Sequence, residues 1–127
     1  MKTVDKETLK NWLGQPDLFL MDVRSAAGWR GSIAKIEHAH RFEPDRLSKM
    51  AQDIPKNKKL VLYCESGETS CPFMVSELEK MGFTNLYVLE GGFQAWQGKE
   101  FPLVPKEWKP RRAGAGAPPA KQKRVVG

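Results

Sequence analysis

Three short apolar runs, separated by segments with helical spacing, restrict the possible folds of this sequence more than any other feature. The runs occupy residues 18–23, 60–63 and 86–89 and are almost wholly apolar. Such runs are typical of strands buried on both faces of a parallel sheet. Strands that alternate with helices predict an α/β fold, in which helices cover both faces of the sheet.

The segments between these runs carry recognisable helix signals. Asp5 is placed to cap a first helix, which we expect to end at Gly14. Residues 44–51 read as a short helix with Pro44 in its first turn, and with Leu47 and Met50 facing inward. Residues 71–81 predict a longer helix. Gly91-Gly92 predicts a tight strand-to-helix turn, because the Lys and Ser/Thr of a phosphate loop are missing there.

Length and composition predict one domain in a reducing compartment. A chain of 127 residues can bury a single core without disulfides, and two cysteines are too few for a disulfide scaffold. No apolar run reaches the eighteen residues that a membrane span needs. The N-terminus is charged and does not resemble a secretory signal. We therefore predict a cytoplasmic protein without a membrane span.

The net charge of +6 belongs entirely to the C-terminal segment. Residues 1–104 hold 14 Lys+Arg and 14 Asp+Glu, whereas residues 105–127 hold 7 Lys+Arg and one Glu. That segment is also rich in Pro, Ala and Gly, so we predict a folded domain over 1–104 and a disordered basic tail over 105–127. The tail is either a binding arm for nucleic acid, acidic lipid or an acidic protein, or a solvated terminus; we favour the solvated terminus.

Cys64 is the strongest candidate for a reactive residue. It follows the second apolar run and precedes the helix predicted to begin near Ser70, at the strand end where α/β sheets bind ligands. Successive backbone N–H groups of the intervening loop can curl into an anion-accepting nest in front of that helix. We therefore expect this loop to bind substrate; its residues are Glu65, Ser66, Gly67, Glu68, Thr69 and Ser70.

Four motifs in order give this sequence its resemblance to a known family. They are Asp22-Val23-Arg24, Gly31-Ser32-Ile33, the loop that begins at Cys64, and the segment Leu89-Glu90-Gly91-Gly92-Phe93-Gln94-Ala95-Trp96. Together they resemble the rhodanese-like domain family of single-domain sulfurtransferases over residues 3–104. The resemblance implies the three-layer rhodanese-like fold.

The same resemblance implies a chemistry and a set of roles. Cys64 would take a sulfane sulfur from a small-molecule or protein donor, hold it as a persulfide and pass it to a thiol or cyanide-like acceptor. Asp22, Arg24, Gly91, Gly92 and Trp96 would belong to the structural motifs. No cofactor is implied. No metal is expected either, because His38 and His40 have no third ligand nearby.

The sequence departs from the family pattern at two positions. Thr69 stands where active members usually have Arg, which argues against phosphatase chemistry. Gly28 stands where a glutamate commonly pairs with the arginine of the first motif, which leaves the partner of Arg24 open. We expect Arg24 to support the fold. We also expect Glu65 and Glu68 to point to solvent and to make the loop rim acidic, which disfavours thiosulfate as a donor.

Two alternatives to the enzyme stay open at this point. Thr69 favours a non-catalytic rhodanese-like module that binds or regulates a partner through the same loop. Cys71, seven residues after Cys64, is either a redox partner of Cys64 or a small buried residue of the following helix. We favour the buried residue.

Overall fold

The centre of the molecule is a five-stranded sheet in which all strands are parallel. The computed structural model describes residues 2–66, 70–97 and 101–106. The strand order is β1-β6-β5-β2-β4. These strands are β1 Lys2–Val4, β2 Leu18–Asp22, β4 Ala39–Arg41, β5 Lys59–Tyr63 and β6 Leu86–Leu89. All three apolar runs of the sequence are therefore strands of this sheet, as predicted.

A second, two-stranded sheet lies outside the main one. Strand β3 (Ala34–Ile36) pairs antiparallel with β7 (Leu103–Pro105), so that Lys35 lies opposite Val104. Lys106 then donates from its side-chain Nζ to the carbonyl of Trp29 at 2.6 Å. The chain thus stays in contact with the domain to Lys106. The rest of the predicted tail, 107–127, falls outside the described residues.

Within the described residues, five α-helices connect the strands. They are α1 Lys6–Trp12, α2 Ala26–Arg30, α3 Leu47–Met50, α4 Ser70–Lys80 and α5 Gly92–Ala95, and a 3₁₀ turn at Pro44–Arg46 leads into α3. Asp5 caps α1 as predicted, because its carboxylate accepts from the N–H of Thr8 at 2.8 Å. No helix among the described residues is long and apolar enough to cross a membrane.

The sheet has one apolar cluster on each face, which confirms the predicted three-layer α/β architecture. Side chains alternate along a strand, so Leu60 and Leu62 of β5 face one way, and Val61 and Tyr63 face the other. The first cluster includes residues of α3 and α4, and the second includes residues of α1 and α5. Tyr63 and Cys64 are adjacent in sequence and therefore belong to opposite clusters.

The short helix α3 corrects one detail of the sequence prediction. Leu47 is buried as expected, but Met50 is 36% exposed and is not an inward-facing residue. The α-helix proper has only four residues after the 3₁₀ turn. So short a helix presents little more than one turn, and Leu47 occupies its inner face.

Candidate active site

Cys64 lies at the carboxyl end of β5, the middle strand of the sheet. It is 1% exposed and packs in the cluster that contains residues of α4. Its carbonyl oxygen accepts from the N–H of Phe93 at 2.8 Å, and the carbonyl of Glu65 accepts from the N–H of Gln94 at 2.9 Å. The first two loop residues are therefore held by the start of α5, a segment about thirty positions away in sequence.

The Gly91-Gly92 pair allows the backbone to make the turn that these two hydrogen bonds require. Both glycines have positive φ, +76° and +61°, which other residues rarely adopt. A methyl group added to Gly91 would lie only 2.7 Å from Cβ of Ala95. The predicted strand-to-helix turn is confirmed. It directs the N–H groups of Phe93 and Gln94 toward the loop that Cys64 begins.

Trp96 closes α5 from the inside. Its ring is fully buried, and its indole N–H donates to the carbonyl of Pro102 at 3.0 Å. The indole also packs edge-on against Phe101, with ring centroids 5.1 Å apart. Trp96 thus connects the end of α5 to the segment that leads into β7, and these contacts help to hold α5 in place against the loop.

The middle of the loop falls outside the described residues. Gly67, Glu68 and Thr69 are not described, and neither is the side chain of Ser70. Ser66 is exposed, and α4 begins at Ser70, where the sequence predicted it. The expected nest of N–H groups over residues 65–69 therefore remains a prediction.

Both cysteines are buried thiols in the same apolar cluster. Cys71, the second residue of α4, is 0% exposed and packs in the cluster that also contains Cys64 and Met74. This placement agrees with the interpretation of Cys71 as a small buried residue. It leaves the redox interpretation untested.

Comparison with known proteins identifies the fold and the family. The model of the rhodanese-like domain matches residues 5–99. The chain belongs to the rhodanese-like domain family. A sulfurtransferase of Allochromatium vinosum is 30% identical over 110 residues, which cover 82% of this chain and 95% of that protein. The thiosulfate sulfurtransferase GlpE of Tolumonas auensis is 26% identical over 82 residues, covering 65% of this chain and 74% of GlpE.

A solved structure supports the rhodanese-like fold independently. The rhodanese-like domain of the Anabaena sp. Alr3790 protein superposes with a TM-score of 0.70 at 23% identity, covering 92% of this chain and 90% of that one. At this identity the likeness concerns the fold alone. The predicted family and fold class are both confirmed.

The Asp-Val-Arg motif of the family forms a buried ion pair here. Arg24 and Asp22 are both 0% exposed, and Nη2 of Arg24 lies 2.8 Å from Oδ2 of Asp22. The same guanidinium donates to the carbonyl of Ala34 at 2.9 Å and lies 4.0 Å from the ring centroid of Phe93. The open question of the Arg24 partner is answered: the partner is the aspartate of its own motif.

Sequence reasoning missed Tyr63 as a member of this network. Its hydroxyl donates to Oδ2 of Asp22 at 2.7 Å and accepts from the N–H of Ile36 at 3.1 Å. Burial, followed by the negative charge of Asp22, raises the pKa of Tyr63 well above its usual value of 10. The alternation of side chains along β5 was the available signal. It places Tyr63 on the same face as Val61, in the second cluster, which also contains Leu20 of β2.

Glu65 does not point fully to solvent as expected, whereas the same expectation for Glu68 lies outside the described residues. Glu65 is half-buried, and its carboxylate lies against α2: a methyl group added at Gly28 would stand 3.2 Å from Oε1 of Glu65 and 3.8 Å from Cβ of Arg24. The missing side chain at Gly28 leaves the room that Glu65 uses. The residue that follows Cys64 thus places its carboxylate against Gly28 of α2.

Among the described residues, no three His, Cys, Asp or Glu side chains lie close enough together to hold a metal ion. His40 instead stacks on Phe19, with ring centroids 4.5 Å apart and planes 4° from parallel.

Proposed function

We propose that this protein is a sulfurtransferase that carries sulfane sulfur as a persulfide on Cys64 and passes it to a thiol or cyanide-like acceptor. The observation that carries the proposal is the position of Cys64 at the carboxyl end of the central strand, with its carbonyl fixed by α5 and with α4 following the loop. The kinship to proteins named sulfurtransferases supports the reaction class. A thiol carrier needs a reducing environment, which favours the cytoplasm.

The proposed reaction is two successive displacements at sulfur. The Cys64 thiolate attacks the sulfane sulfur of the donor. The bond between that sulfur and the rest of the donor breaks, and the departing group takes the electron pair. Cys64 is left as a persulfide. The acceptor thiolate or cyanide then attacks the outer sulfur, and the Cys64 thiolate departs with its electron pair, so no external oxidant or reductant is consumed.

Stabilisation of the thiolate and the persulfide is assigned to the loop. Backbone N–H groups of residues 65–69 would donate to the terminal sulfur, and the hydroxyls of Thr69 and Ser70 would add donors. The N-terminus of α4 favours negative charge by about 0.3–1 kcal/mol. The thiolate is the reactive form of a cysteine, and these contributions would stabilise it.

The acidic rim is proposed to select against dianionic donors. Glu65 lies beside Gly28, and Glu68 follows in the same loop. A carboxylate about 4 Å from a negative group costs on the order of 1 kcal/mol in water and about 4 kcal/mol at an effective dielectric near 20. Neutral or cationic donors, or a protein persulfide on a basic partner, are therefore expected to serve better than thiosulfate.

Mass spectrometry of the intact protein after incubation with a panel of sulfur donors tests the proposal. The panel contains thiosulfate, glutathione persulfide and a protein persulfide. We expect one added sulfur, located on the peptide that contains Cys64, lost in Cys64→Ser, and transferred to added cyanide or thiol. No added sulfur with any donor would contradict the proposal and favour the binding-module alternative.

Because the two cysteines are buried in the same cluster, the redox alternative predicts a disulfide between them, and this prediction can be tested. Cys64 and Cys71 pack in one apolar cluster. Thiol counting after mild oxidation separates the two functions: two persistent thiols agree with a sulfur carrier, and an intramolecular Cys64–Cys71 disulfide favours a redox protein. Cys71→Ala is expected to keep the added sulfur on Cys64.

A further inference from the structure

A cavity of about 730 Å³ opens at the edge strand β4, and neither Cys64 nor Glu65 is among its described lining residues. Its walls come from β2, β4 and the turn after α1, and from Trp29, Lys35 and Lys106. Pockets for small molecules have volumes of roughly 300–1,000 Å³. The sulfurtransferase proposal uses none of the residues that line this cavity.

Positive charge dominates the described walls of the cavity. Lys35, Arg41 and Lys106 line it, together with two histidines, and no Asp or Glu is among its described lining residues. Nη1 of Arg41 donates to the carbonyl of Arg24 at 2.6 Å, and Nζ of Lys106 donates to the carbonyl of Trp29 at 2.6 Å. The two carbonyl oxygens hold Arg41 and Lys106 in place and carry no formal negative charge.

The carboxylate that pairs with Arg41 is already engaged by a second arginine. Asp22 lies 3.4 Å from Nη1 of Arg41, but it pairs with Arg24 at 2.8 Å on its other oxygen and is fully buried. One carboxylate thus faces two guanidinium groups. In addition, Nε of Arg41 is a buried donor without a hydrogen-bond partner among the described residues. Such a donor is costly unless something accepts from it.

Aromatic rings supply flat apolar surface beside these charges. The ring centroid of Trp29 lies 4.8 Å from the guanidinium carbon of Arg41 and 4.7 Å from Nζ of Lys106. Across the cavity lining, Phe19 stacks on His40. Burial, followed by the positive charge of Lys35, lowers the pKa of His40, so its ring is neutral at neutral pH and adds to the flat surface.

We propose that this cavity binds a small organic anion that carries a flat aromatic group. The anionic group would lie between Arg41 and Lys106, where two fixed cations converge on Trp29. The aromatic group would lie against the rings of Trp29 and Phe19. Charge complementarity selects the anion, and the size of the cavity selects a small molecule over a macromolecule.

Titration of the full-length protein with 2-naphthoate, followed by ¹H–¹⁵N NMR, tests this proposal. We expect saturable shifts of the amides of residues 38–42, and much smaller shifts with the neutral analogue 2-naphthamide. Lys106→Gln should weaken naphthoate binding by roughly three- to fivefold, the scale of one partly exposed ion pair, and Lys106→Arg should restore it.

Lys2→Gln is the matched control variant. Nζ of Lys2 also lies over an aromatic ring, 4.6 Å from the centroid of Tyr87, and also donates a hydrogen bond, but at the opposite edge strand β1. It should leave naphthoate binding unchanged. Equal binding of naphthoate and naphthamide, absence of saturable shifts, or shifts produced only by an acidic peptide such as polyglutamate would overturn the proposal.

Discussion

The hydroxyl of Tyr63 donates to Oδ2 of Asp22 at 2.7 Å, and this contact joins the residue before Cys64 to a buried ion pair. Tyr63 faces one side of the sheet, and Cys64 faces the other. Phe93 completes the connection, because its N–H holds the carbonyl of Cys64 while its ring lies 4.0 Å from the guanidinium of Arg24. The network that stabilises the fold is thus directly connected to the candidate nucleophile.

Tyr63→Phe should lower the free energy of unfolding by about 1–3 kcal/mol. The substitution removes a donor from the buried Asp22 and an acceptor from the N–H of Ile36. Urea unfolding measures the change. Tyr87→Phe is the control, because Tyr87 is a half-buried residue of β6 whose ring packs on Trp12. It should change stability by less than about 0.5 kcal/mol. Equal effects of the two variants would contradict the role given to the Tyr63 hydroxyl.

Stability should fall with rising pH above about 10, and Tyr63 should account for part of the slope. Burial and Asp22 raise its pKa in the folded state, so the unfolded chain loses this proton first. The stabilisation is complete below the unfolded pKa and is lost as pH rises toward the folded one, at up to about 1.4 kcal/mol per pH unit. Urea unfolding between pH 8 and 11 should show a shallower decline for Tyr63→Phe than for the wild type.

Gly91→Ala should destabilise the protein more than Gly14→Ala and should also reduce sulfur transfer. Both glycines have positive φ, +76° and +88°, so alanine costs about 1–2 kcal/mol of backbone strain at either position. Only at Gly91 does the new methyl group meet another atom, Cβ of Ala95 at 2.7 Å, which adds about 1–3 kcal/mol. Thermal unfolding and cyanide-dependent sulfur transfer measure the two effects. Unchanged sulfur transfer in Gly91→Ala would show that the hydrogen bonds from α5 to the loop are not needed for activity.

Glu65→Gln should increase kcat/KM for thiosulfate by roughly two- to fivefold, because it removes one negative charge from the loop that receives a dianion. Its carboxylate lies beside Gly28, on the side of the loop that adjoins α2. Glu79→Gln, at an exposed position near the end of α4, makes the same change in net charge and should have no effect. A rate increase in both variants would point to long-range steering by net charge.

Thr69→Arg should increase thiosulfate use by about tenfold, since a guanidinium binds an oxyanion through two charge-assisted hydrogen bonds. Thr69→Gln provides a long neutral side chain at the same position and should leave the rate near that of the parent. Steady-state kinetics with thiosulfate and cyanide compare the three proteins. No gain in Thr69→Arg would indicate that the missing arginine does not limit this donor.

Local sequence was sufficient to predict the family, the three central strands of the sheet and the position of Cys64 at a strand end. Apolar runs of four to six residues identify buried strands, because a strand covered on both faces has no position for exposed polar side chains. The Gly91-Gly92 pair likewise predicts a turn, because residues other than glycine rarely adopt its positive φ angles. These are local properties, and local sequence is sufficient to show them.

The surroundings of Cys64 and the grouping of cations at the cavity depend on tertiary contacts. The partner of the Cys64 carbonyl comes from α5, the carboxylate of Glu65 settles against Gly28, and Tyr63 meets Asp22 from a neighbouring strand. The cavity at β4 likewise collects cations from three separate segments of the chain. Each of these contacts joins residues that are far apart in sequence. Their separation along the chain does not indicate their distance in space, so the sequence alone could not predict them.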